Sequence, residues 1–284
     1  MPRFTTNDGC NLEYRLRGTG SLIALTPGGR EPGDAVKSLA DALSEHACVL
    51  TWDRRNTGAS DISIAADLSE QEIWAEDLAD LVGHIGQGPA WLAGGSAGCR
   101  VSLLTAIRRP EMARGLLLWS ASGGPYGCQF LGFNYHVPFI MAAQRGGMAA
   151  IAETPFFAQR VAANPSNRER LLSLDPAAFV AAMKRWNHSF YYRDDCALTG
   201  VTDVSLTTIA MPTLIFEGND DIHTPDASRK AAALIPGARL LPSPWSSDAW
   251  LDKFSGRSPG SVFELYPLLV PELLKFIAEH GDNP

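Results

Sequence analysis

The sequence predicts an α/β protein whose mostly parallel sheet is interrupted by a helical insertion. In the first half of the chain, short apolar segments alternate with amphipathic helical patterns, as in sheets whose parallel strands are joined by helices. This alternation stops at Gly123, and strand character returns only at 212–217. We therefore expect residues 1–122 and 206–284 to form the two parts of a sheet domain, and residues 123–205 to form the insertion.

Each element of the first part follows from a local pattern. A hairpin is expected around residues 10–17 and the segment before them. The apolar residues of 36–43 recur at i, i+3, i+4 and i+7, which predicts a helix. Ser69 and Glu72 have the spacing of a capping box, so a second helix is expected to begin there. Apolar runs predict strands at 21–26, 48–52, 90–93 and 115–119.

The remaining elements are mainly helical. Residues 99–109 predict a helix that Pro110 stops. Asp175 followed by Pro176 has the pattern of a helix start, with a capping carboxylate and proline at the first helical position. Helices of the insertion are expected near 138–152, 155–163, 166–174 and 177–190. After it we expect strands at 212–217 and 238–241 and a last helix at 271–280.

The composition excludes several classes of function. Hydrophobic residues make up 45% and charged residues 19% of 284 residues, as in globular proteins rather than disordered ones. A net charge of −7 without a run of Lys and Arg makes nucleic acid and anionic membrane surfaces poor partners. No apolar stretch approaches the roughly 18–20 residues that span a bilayer. The polar N-terminus lacks the apolar core of a signal peptide, so a cytoplasmic protein is expected.

The cysteines and the known cofactor motifs give no sign of a metal or cofactor. Five cysteines are scattered without CxxC spacing, which fits a reducing cytoplasm and argues against a thiolate zinc site. Zinc-ligand spacing, the P-loop and the dinucleotide fingerprint are all missing from the sequence. We therefore expect no cofactor and no metal.

The segment Gly94-Gly95-Ser96-Ala97-Gly98 is the motif of this sequence that most directly indicates a catalytic function. It follows a predicted strand and opens a predicted helix, which is the context of a Gly-x-Ser-x-Gly nucleophile elbow. Such a turn projects the serine hydroxyl above the sheet, and its small residues let strand and helix cross closely. The backbone N–H of Ala97, at the helix start, can stabilise an oxyanion.

On this motif the chain resembles the α/β-hydrolase superfamily, and the resemblance covers nearly all of it. It implies a mostly parallel eight-stranded sheet with a helical cap at 123–205. The turn from Asp53 to Ser60 resembles a structural turn of the family, so Asp53 is given no catalytic role. Thr26-Pro27-Gly28-Gly29 resembles the family's oxyanion turn, which implies that the N–H of Gly29 is the second oxyanion donor.

The resemblance also implies an acid position. The segment 217–225 resembles the family's acid loop after the seventh strand, Gly-x-x-Asp-x-x-x-Pro. Asp221 falls at the acid position, with Asp220 as the fallback if the alignment shifts by one residue.

The base of the expected triad is the weak point of this pattern. A serine hydroxyl needs a general base, usually histidine, and the family places it after the eighth strand. Here the segment 242–250 contains no histidine. His223, two residues after Asp221, is the leading candidate because its loop lies at the carboxyl edge of the sheet, where the elbow also opens. His136 and His188, in the insertion, are further candidates.

Two alternatives therefore stand beside a serine hydrolase that cleaves a small-molecule carboxylic ester or related acyl bond. In one, the same fold performs non-hydrolytic chemistry, as a cofactor-free lyase, a C–C bond-cleaving enzyme or an oxygenase, with Asp248 as a candidate base. In the other, the protein binds a ligand and catalyses nothing.

Further residues are candidates for binding the substrate. Gly28 belongs to the oxyanion turn, and Arg30 directly follows it and could bind a substrate carboxylate. Trp245, together with Trp250, flanks the position of the missing histidine and could form a wall of the pocket. The insertion is rich in aromatic residues, so we expect a small, partly hydrophobic substrate.

Overall fold

The computed structural model of the chain describes residues 2–65 and 67–281, and its described strands form one sheet. The strands are β1 Arg3–Thr5, β2 Asn11–Arg17, β3 Leu22–Thr26, β4 Cys48–Trp52, β5 Ala90–Gly95, β6 Ala113–Trp119, β7 Thr213–Phe216 and β8 Arg239–Leu241. Their order in the sheet is β1-β2-β4-β3-β5-β6-β7-β8. The β1–β2 and β2–β4 pairs are antiparallel and the others parallel, so the predicted mostly parallel eight-stranded sheet is confirmed.

Helices flank this sheet and fill the interval between β6 and β7. They are α1 Lys37–Ser44, α2 Glu70–Ile85, α3 Ala97–Arg108, α4 Gly124–Ala152, α5 Pro155–Ala163, α6 Ser166–Leu172, α7 Pro176–His188, α8 Asp203–Thr207, α9 Pro225–Leu234, α10 Ser247–Phe254 and α11 Val270–His280. Segments of 3₁₀-helix lie at Gly33–Val36, Pro110–Met112 and Val262–Leu269. No helix of the described residues is both long enough and apolar enough to cross a membrane.

The helix starts follow their sequence signals. Ser69 accepts a hydrogen bond from the N–H of Glu72, and the Glu72 carboxylate accepts one in return from the N–H of Ser69, which completes the predicted capping box. Asp175 accepts a hydrogen bond from the N–H of Ala178 and begins α7. These side chains satisfy amide groups that the first helical turn leaves without intrahelical partners.

Three apolar clusters hold the layers together. One packs α2 and α3 on one face of the sheet, and a second packs α1 and α11 on the other. Strands β3, β4 and β5 are buried along their whole length, as expected for central strands covered on both faces. The third cluster lies largely within the helical insertion, around Phe157, Phe179 and Trp186. The insertion therefore has an apolar core of its own.

The first helix of the insertion differs from the prediction. α4 begins at Gly124, whereas the sequence predicted a helix only from about residue 138. The Gly-Gly-Pro segment does not delay the helix: proline stands in its first turn, where the missing N–H costs nothing. Pro138 lies inside α4, and a kink follows at Gly146 and Gly147.

Other differences lie mainly in the part of the chain after the insertion. Helices α8, α9 and α10 and the 3₁₀ segment Val262–Leu269 were not predicted, and α8 crosses the predicted end of the insertion at 205. Helices α4 to α7 lie inside the range 123–205 that was predicted for the insertion. The outermost residues of the predicted ranges 1–122 and 206–284, Met1 and residues 282–284, lie outside the described residues.

The turn after β4 has the structural role that its resemblance implied. The Asp53 carboxylate accepts hydrogen bonds from the N–H of Gly33 at 2.7 Å and from the N–H of Ala59 at 2.8 Å. It thereby ties the turn after β4 to the segment after β3, next to the oxyanion turn.

Candidate active site

Ser96 lies in a strained turn between β5 and α3. Its backbone has φ 54° and ψ −113°, in the positive-φ region that costs a residue other than glycine about 1–3 kcal/mol. The N–H of Ser96 lies 3.2 Å from the carbonyl oxygen of Trp119 and 3.1 Å from that of Ser120. Both contacts fix the turn to the end of β6. The strand–turn–helix context expected for this motif is present, with the hydroxyl at the carboxyl edge of the sheet.

The glycines around Ser96 allow the strand and the helix to cross. A Cβ atom on Gly98 would lie 2.1 Å from the carbonyl oxygen of Thr26, and one on Gly94 would lie 2.4 Å from the carbonyl carbon of Gly98. Both contacts are with backbone atoms, which cannot move aside without shifting a strand or a helix. Only glycine therefore fits at both positions.

We expect Gly98→Ala to lower the free energy of unfolding by about 1–3 kcal/mol, because the added methyl group overpacks the crossing of α3 with β3. Gly83 provides a matched control, since it is also a helical glycine and a Cβ there would meet only the terminal carbon of Met112, at 3.6 Å. Gly83→Ala should stabilise the protein by about 0.5–1 kcal/mol. Urea unfolding measures both variants, and equal effects would contradict the close crossing.

His223 supplies the hydrogen-bond partner that the sequence pattern left open. Its Nε2 lies 2.9 Å from the hydroxyl oxygen of Ser96, and its side chain is almost fully buried. Its Nδ1 lies 2.8 Å from Oδ2 of Asp220. A carboxylate only accepts hydrogen bonds, so Nδ1 carries the proton and Nε2 is free to accept one from Ser96. The three side chains form one continuous hydrogen-bonded chain.

The structure places Asp220, the fallback of the predicted acid position, beside His223 in place of Asp221. Asp220, the fallback, is buried and contacts His223, whereas Asp221 is exposed and makes no hydrogen bond or ion pair with the described residues. The cause is the local turn: Oδ1 of Asp220 accepts the N–H groups of Ile222 at 2.8 Å and of His223 at 2.9 Å. These bonds hold the Asp220 carboxylate inward.

The loop that carries Asp220 and His223 is held in place by contacts on two sides. A Cβ on Gly218 would lie 2.1 Å from the carbonyl oxygen of His223, so the loop closes tightly only around glycine. The Asn219 side-chain amide donates a hydrogen bond of 2.7 Å to the carbonyl oxygen of Trp245, in the segment after β8. The position of the His223 ring is therefore fixed by backbone contacts as well as by Asp220.

The segment after β8 packs against His223. The ring of Trp250, on α10, meets that of His223 edge to face, with ring centres 5.6 Å apart and planes at 80°. Asp248, the candidate base of the non-hydrolytic alternative, is exposed in the first turn of the same helix. The segment without a histidine thus provides a wall of the site.

A cavity of about 280 Å³ opens in front of Ser96 and His223. Its walls are mainly aromatic and aliphatic side chains from α4, α10 and the 3₁₀ segment Val262–Leu269. The lining residues are Gly28, Gly29, Glu31, Ser96, Phe130, Leu131, Tyr135, Ile222, His223, Trp250, Phe254, Val262, Phe263 and Tyr266. Phe130, Phe254 and Phe263 were not predicted as site residues; the apolar residues of 262–269 are a signal that could have indicated Phe263.

The predicted oxyanion turn borders this cavity. Gly28 and Gly29 both line it, and Gly29 adopts φ 55°, which favours glycine. Ala97 follows Ser96 directly as the first residue of α3. Within the described part of the chain, neither the N–H of Gly29 nor that of Ala97 donates a hydrogen bond. Both amides are thus free to donate to a ligand.

Arg30 does not line this cavity, but it lines a neighbouring cavity of about 390 Å³ that shares Gly29 and Tyr135 with it. Its guanidinium is buried and contacts the Glu70 carboxylate at 2.6 and 3.0 Å, and it donates a 2.7 Å hydrogen bond to the carbonyl oxygen of Tyr135. The ion pair joins the residue after the oxyanion turn to α2, and the hydrogen bond joins it to α4. Arg30 therefore connects the insertion to the sheet domain.

Trp245 is also placed differently from the prediction. Its ring is buried and stacks on Tyr266 at 5.7 Å, behind the cavity wall. Trp250, its neighbour in the same segment, lines the cavity instead. The side chain of Trp245 therefore packs in the core, and its carbonyl oxygen anchors the loop of His223.

The other candidate histidines lie away from Ser96. His136 is buried in α4, where its Nδ1 lies 3.1 Å from the carbonyl oxygen of Gly132. Burial and the nearby charge of Arg30 lower the pKa of His136 to about 3, so this ring stays neutral. His188 is exposed at the end of α7 and packs on Tyr191. Across residues 2–65 and 67–281, no group of three or more His, Cys, Asp and Glu side chains could hold a metal ion.

Comparison with known proteins defines the class of this protein. The sequence profile of the Alpha/beta hydrolase family matches residues 25–254, so the chain belongs to that family. A curated relative, the "Uncharacterized hydrolase YraK" of Bacillus subtilis (strain 168), is 32% identical over 103 residues. That match covers 36% of this chain and 38% of the relative.

Solved structures share the fold. An esterase from Thermogutta terrifontis superposes with a TM-score of 0.63 at 22% identity, covering 99% of this chain and 100% of that one. The enol-lactonase from Burkholderia xenovorans LB400 gives 0.62 at 19% identity, covering 98% and 100%. The predicted α/β-hydrolase fold is confirmed.

Proposed function

We propose that the protein is a serine hydrolase that cleaves a small-molecule carboxylic ester or a related acyl bond. One observation carries this proposal: the Ser96 hydroxyl, the His223 ring and the Asp220 carboxylate form a hydrogen-bonded chain, at 2.9 and 2.8 Å, that ends in a cavity. Side chains of these three types at these distances are the requirement for activating a serine.

In the proposed reaction, Ser96 attacks the carbonyl carbon of the ester and its proton passes to Nε2 of His223. The carbonyl oxygen becomes negative and accepts hydrogen bonds from the N–H groups of Gly29 and Ala97. The proton on His223 then goes to the leaving alcohol, and an acyl-serine remains. Water, deprotonated by the same ring, then attacks the acyl carbon. The bond to the Ser96 oxygen breaks, the proton on Nε2 of His223 returns to that oxygen, and the acid is released. Asp220 holds the neutral ring in the tautomer with the proton on Nδ1, and it stabilises the positive charge when both nitrogens carry protons.

The cavity indicates the kind of substrate. Its volume of about 280 Å³ lies near the lower end of ligand sites, which suits a small molecule. Phe130, Trp250 and Phe263 in its walls favour a partly hydrophobic acyl or alcohol group. Two proteins of the same fold are called an esterase and an enol-lactonase, which makes carboxylic esters and lactones the first substrates to test.

The non-hydrolytic alternative loses its main support from this geometry. It was raised because no histidine stands after β8, but a histidine from the loop after β7 hydrogen-bonds Ser96. The residue offered as its base, Asp248, is exposed.

We expect a fluorophosphonate probe to label the wild-type protein at one serine, and Ser96→Ala to abolish labelling, because only an activated hydroxyl attacks the probe. Mass spectrometry of the labelled peptide and turnover of p-nitrophenyl esters are the measurements. Ser255→Ala is the matched control, since that hydroxyl is exposed and donates to the carbonyl oxygen of Leu251. A wild-type protein that neither takes the label nor hydrolyses these esters would refute the proposal.

A further inference from the structure

Tyr135 brings a phenol hydroxyl from the helical insertion to the oxyanion turn. It lies on α4 and lines the cavity that contains Ser96 and Gly29. A second cavity, of about 390 Å³, shares Gly29, Glu31 and Tyr135 with the first. Tyr135 therefore stands at the junction of the two cavities, beside the backbone that carries one of the proposed oxyanion donors.

The hydroxyl of Tyr135 is close to that donor and is free. It lies 3.8 Å from the position that a Cβ atom would take on Gly29. Among residues 2–65 and 67–281 it makes no hydrogen bond. A hydroxyl group that faces a cavity without a partner can donate its proton to a ligand there.

The ring is held firmly in this place. The guanidinium of Arg30 lies 5.0 Å from the ring centre, and Phe190 meets the ring edge to face at 5.7 Å. Arg30 also donates a hydrogen bond to the carbonyl oxygen of Tyr135 and is itself fixed by its buried ion pair with Glu70. A preorganised donor of this kind needs no rearrangement when charge develops beside it.

Three cationic side chains and the carboxylate of Glu70 act on this hydroxyl. Burial raises the pKa of Tyr135, so the group stays protonated, while the cations Arg100, Arg30 and Arg54 act in the opposite direction. The guanidinium of Arg100 is buried, and none of its nitrogens has a hydrogen-bond partner among the described residues. Burial lowers the pKa of Arg100, and among the described residues no carboxylate is hydrogen-bonded to its guanidinium.

We infer that the Tyr135 hydroxyl is a third donor to the oxyanion. When Ser96 attacks the carbonyl carbon, the carbonyl oxygen gains negative charge, and the hydroxyl donates a hydrogen bond to it without losing its proton. The inference rests on the proposed function, because it concerns the same acyl transfer. It makes Tyr135 a catalytic residue contributed by the insertion.

Tyr135→Phe tests this inference while keeping the ring over Arg30. We expect kcat for p-nitrophenyl acetate and butyrate to fall about 100-fold, the size of effect seen when one oxyanion donor is removed, with KM unchanged. The affinity for phenylboronic acid, which forms a tetrahedral adduct with serine, should fall together with kcat/KM. Tyr126→Phe is the matched control on the same helix, since Tyr126 is 56% exposed and stacks on Phe130 through its ring. It should behave as wild type.

Each outcome separates this inference from the proposed function. An active wild type with an unchanged kcat in Tyr135→Phe would overturn the inference alone. A raised KM with unchanged kcat and unchanged boronic acid affinity would do the same, because the hydroxyl would then only bind the ground state. A wild type without esterase activity and without fluorophosphonate labelling would overturn both. Thermal unfolding of both variants shows whether each is folded as the wild type is.

Discussion

His223→Ala is expected to reduce kcat for ester hydrolysis about a million-fold, close to the loss expected for removing the serine itself. The hydroxyl of Ser96 has its usual weak nucleophilicity unless a base takes its proton, and Nε2 of His223, at 2.9 Å, is the base that the structure brings to it. KM should change little, because the ring contributes to the chemical step more than to binding. Steady-state and burst kinetics with p-nitrophenyl esters measure the effect.

The control for this variant is His46→Ala. His46 is exposed between α1 and β4, so the loss of its side chain should leave kcat and the melting temperature unchanged. If His223→Ala kept most of its activity, the base would have to be another group, and the proposed mechanism would be wrong at its central step.

Asp220→Asn is expected to reduce kcat about ten-thousand-fold, as when the acid of a serine triad becomes an amide. The amide would present an N–H to Nδ1 of His223, which favours the tautomer with the proton on Nε2. That tautomer cannot accept the proton of Ser96. Because aspartate and asparagine have nearly the same shape, the hydrogen bonds from the N–H groups of Ile222 and His223 to Oδ1 can persist.

Asp221→Asn is the matched control for this change. It makes the same substitution one residue further on, at an exposed side chain outside the hydrogen-bonded chain. We expect its kcat to equal that of the wild type. The reverse pattern, with activity lost in Asp221→Asn and retained in Asp220→Asn, would show that the acid is Asp221 after all.

Local patterns were sufficient to predict much of the fold. Predicted strands at 21–26 and 48–52 correspond to β3 and β4, and the capping box at Ser69 begins α2. These elements have a strong period or a specific cap, so neighbouring residues decide them. The start of α4 could not be predicted in this way, because Gly-Gly-Pro is common both where helices end and where they begin.

The site was only partly predictable for a related reason. Ser96 and its glycines form a contiguous motif, since one tight turn requires all of them within five residues. Asp220 and Asp221 cannot be distinguished by any spacing rule, because the direction of each side chain is set by hydrogen bonds inside the loop. Arg30 and Trp245 were predicted from sequence neighbours of the site, but their side chains pack against α2 and the core.

The sequence by itself determined the alternation of strands and helices in the first half of the chain and a serine turn that requires glycine on both sides, because these depend on residues close along the chain. Only the tertiary structure decided which side chain hydrogen-bonds that serine, since His223 and Ser96 are 127 positions apart and meet because parallel strands end at one edge of the sheet. The tertiary structure also decided that the segment after β8 contributes the indole ring of Trp250, which packs against the ring of His223. The placement of the Tyr135 hydroxyl beside Gly29 depends in the same way on how the insertion packs on the sheet domain.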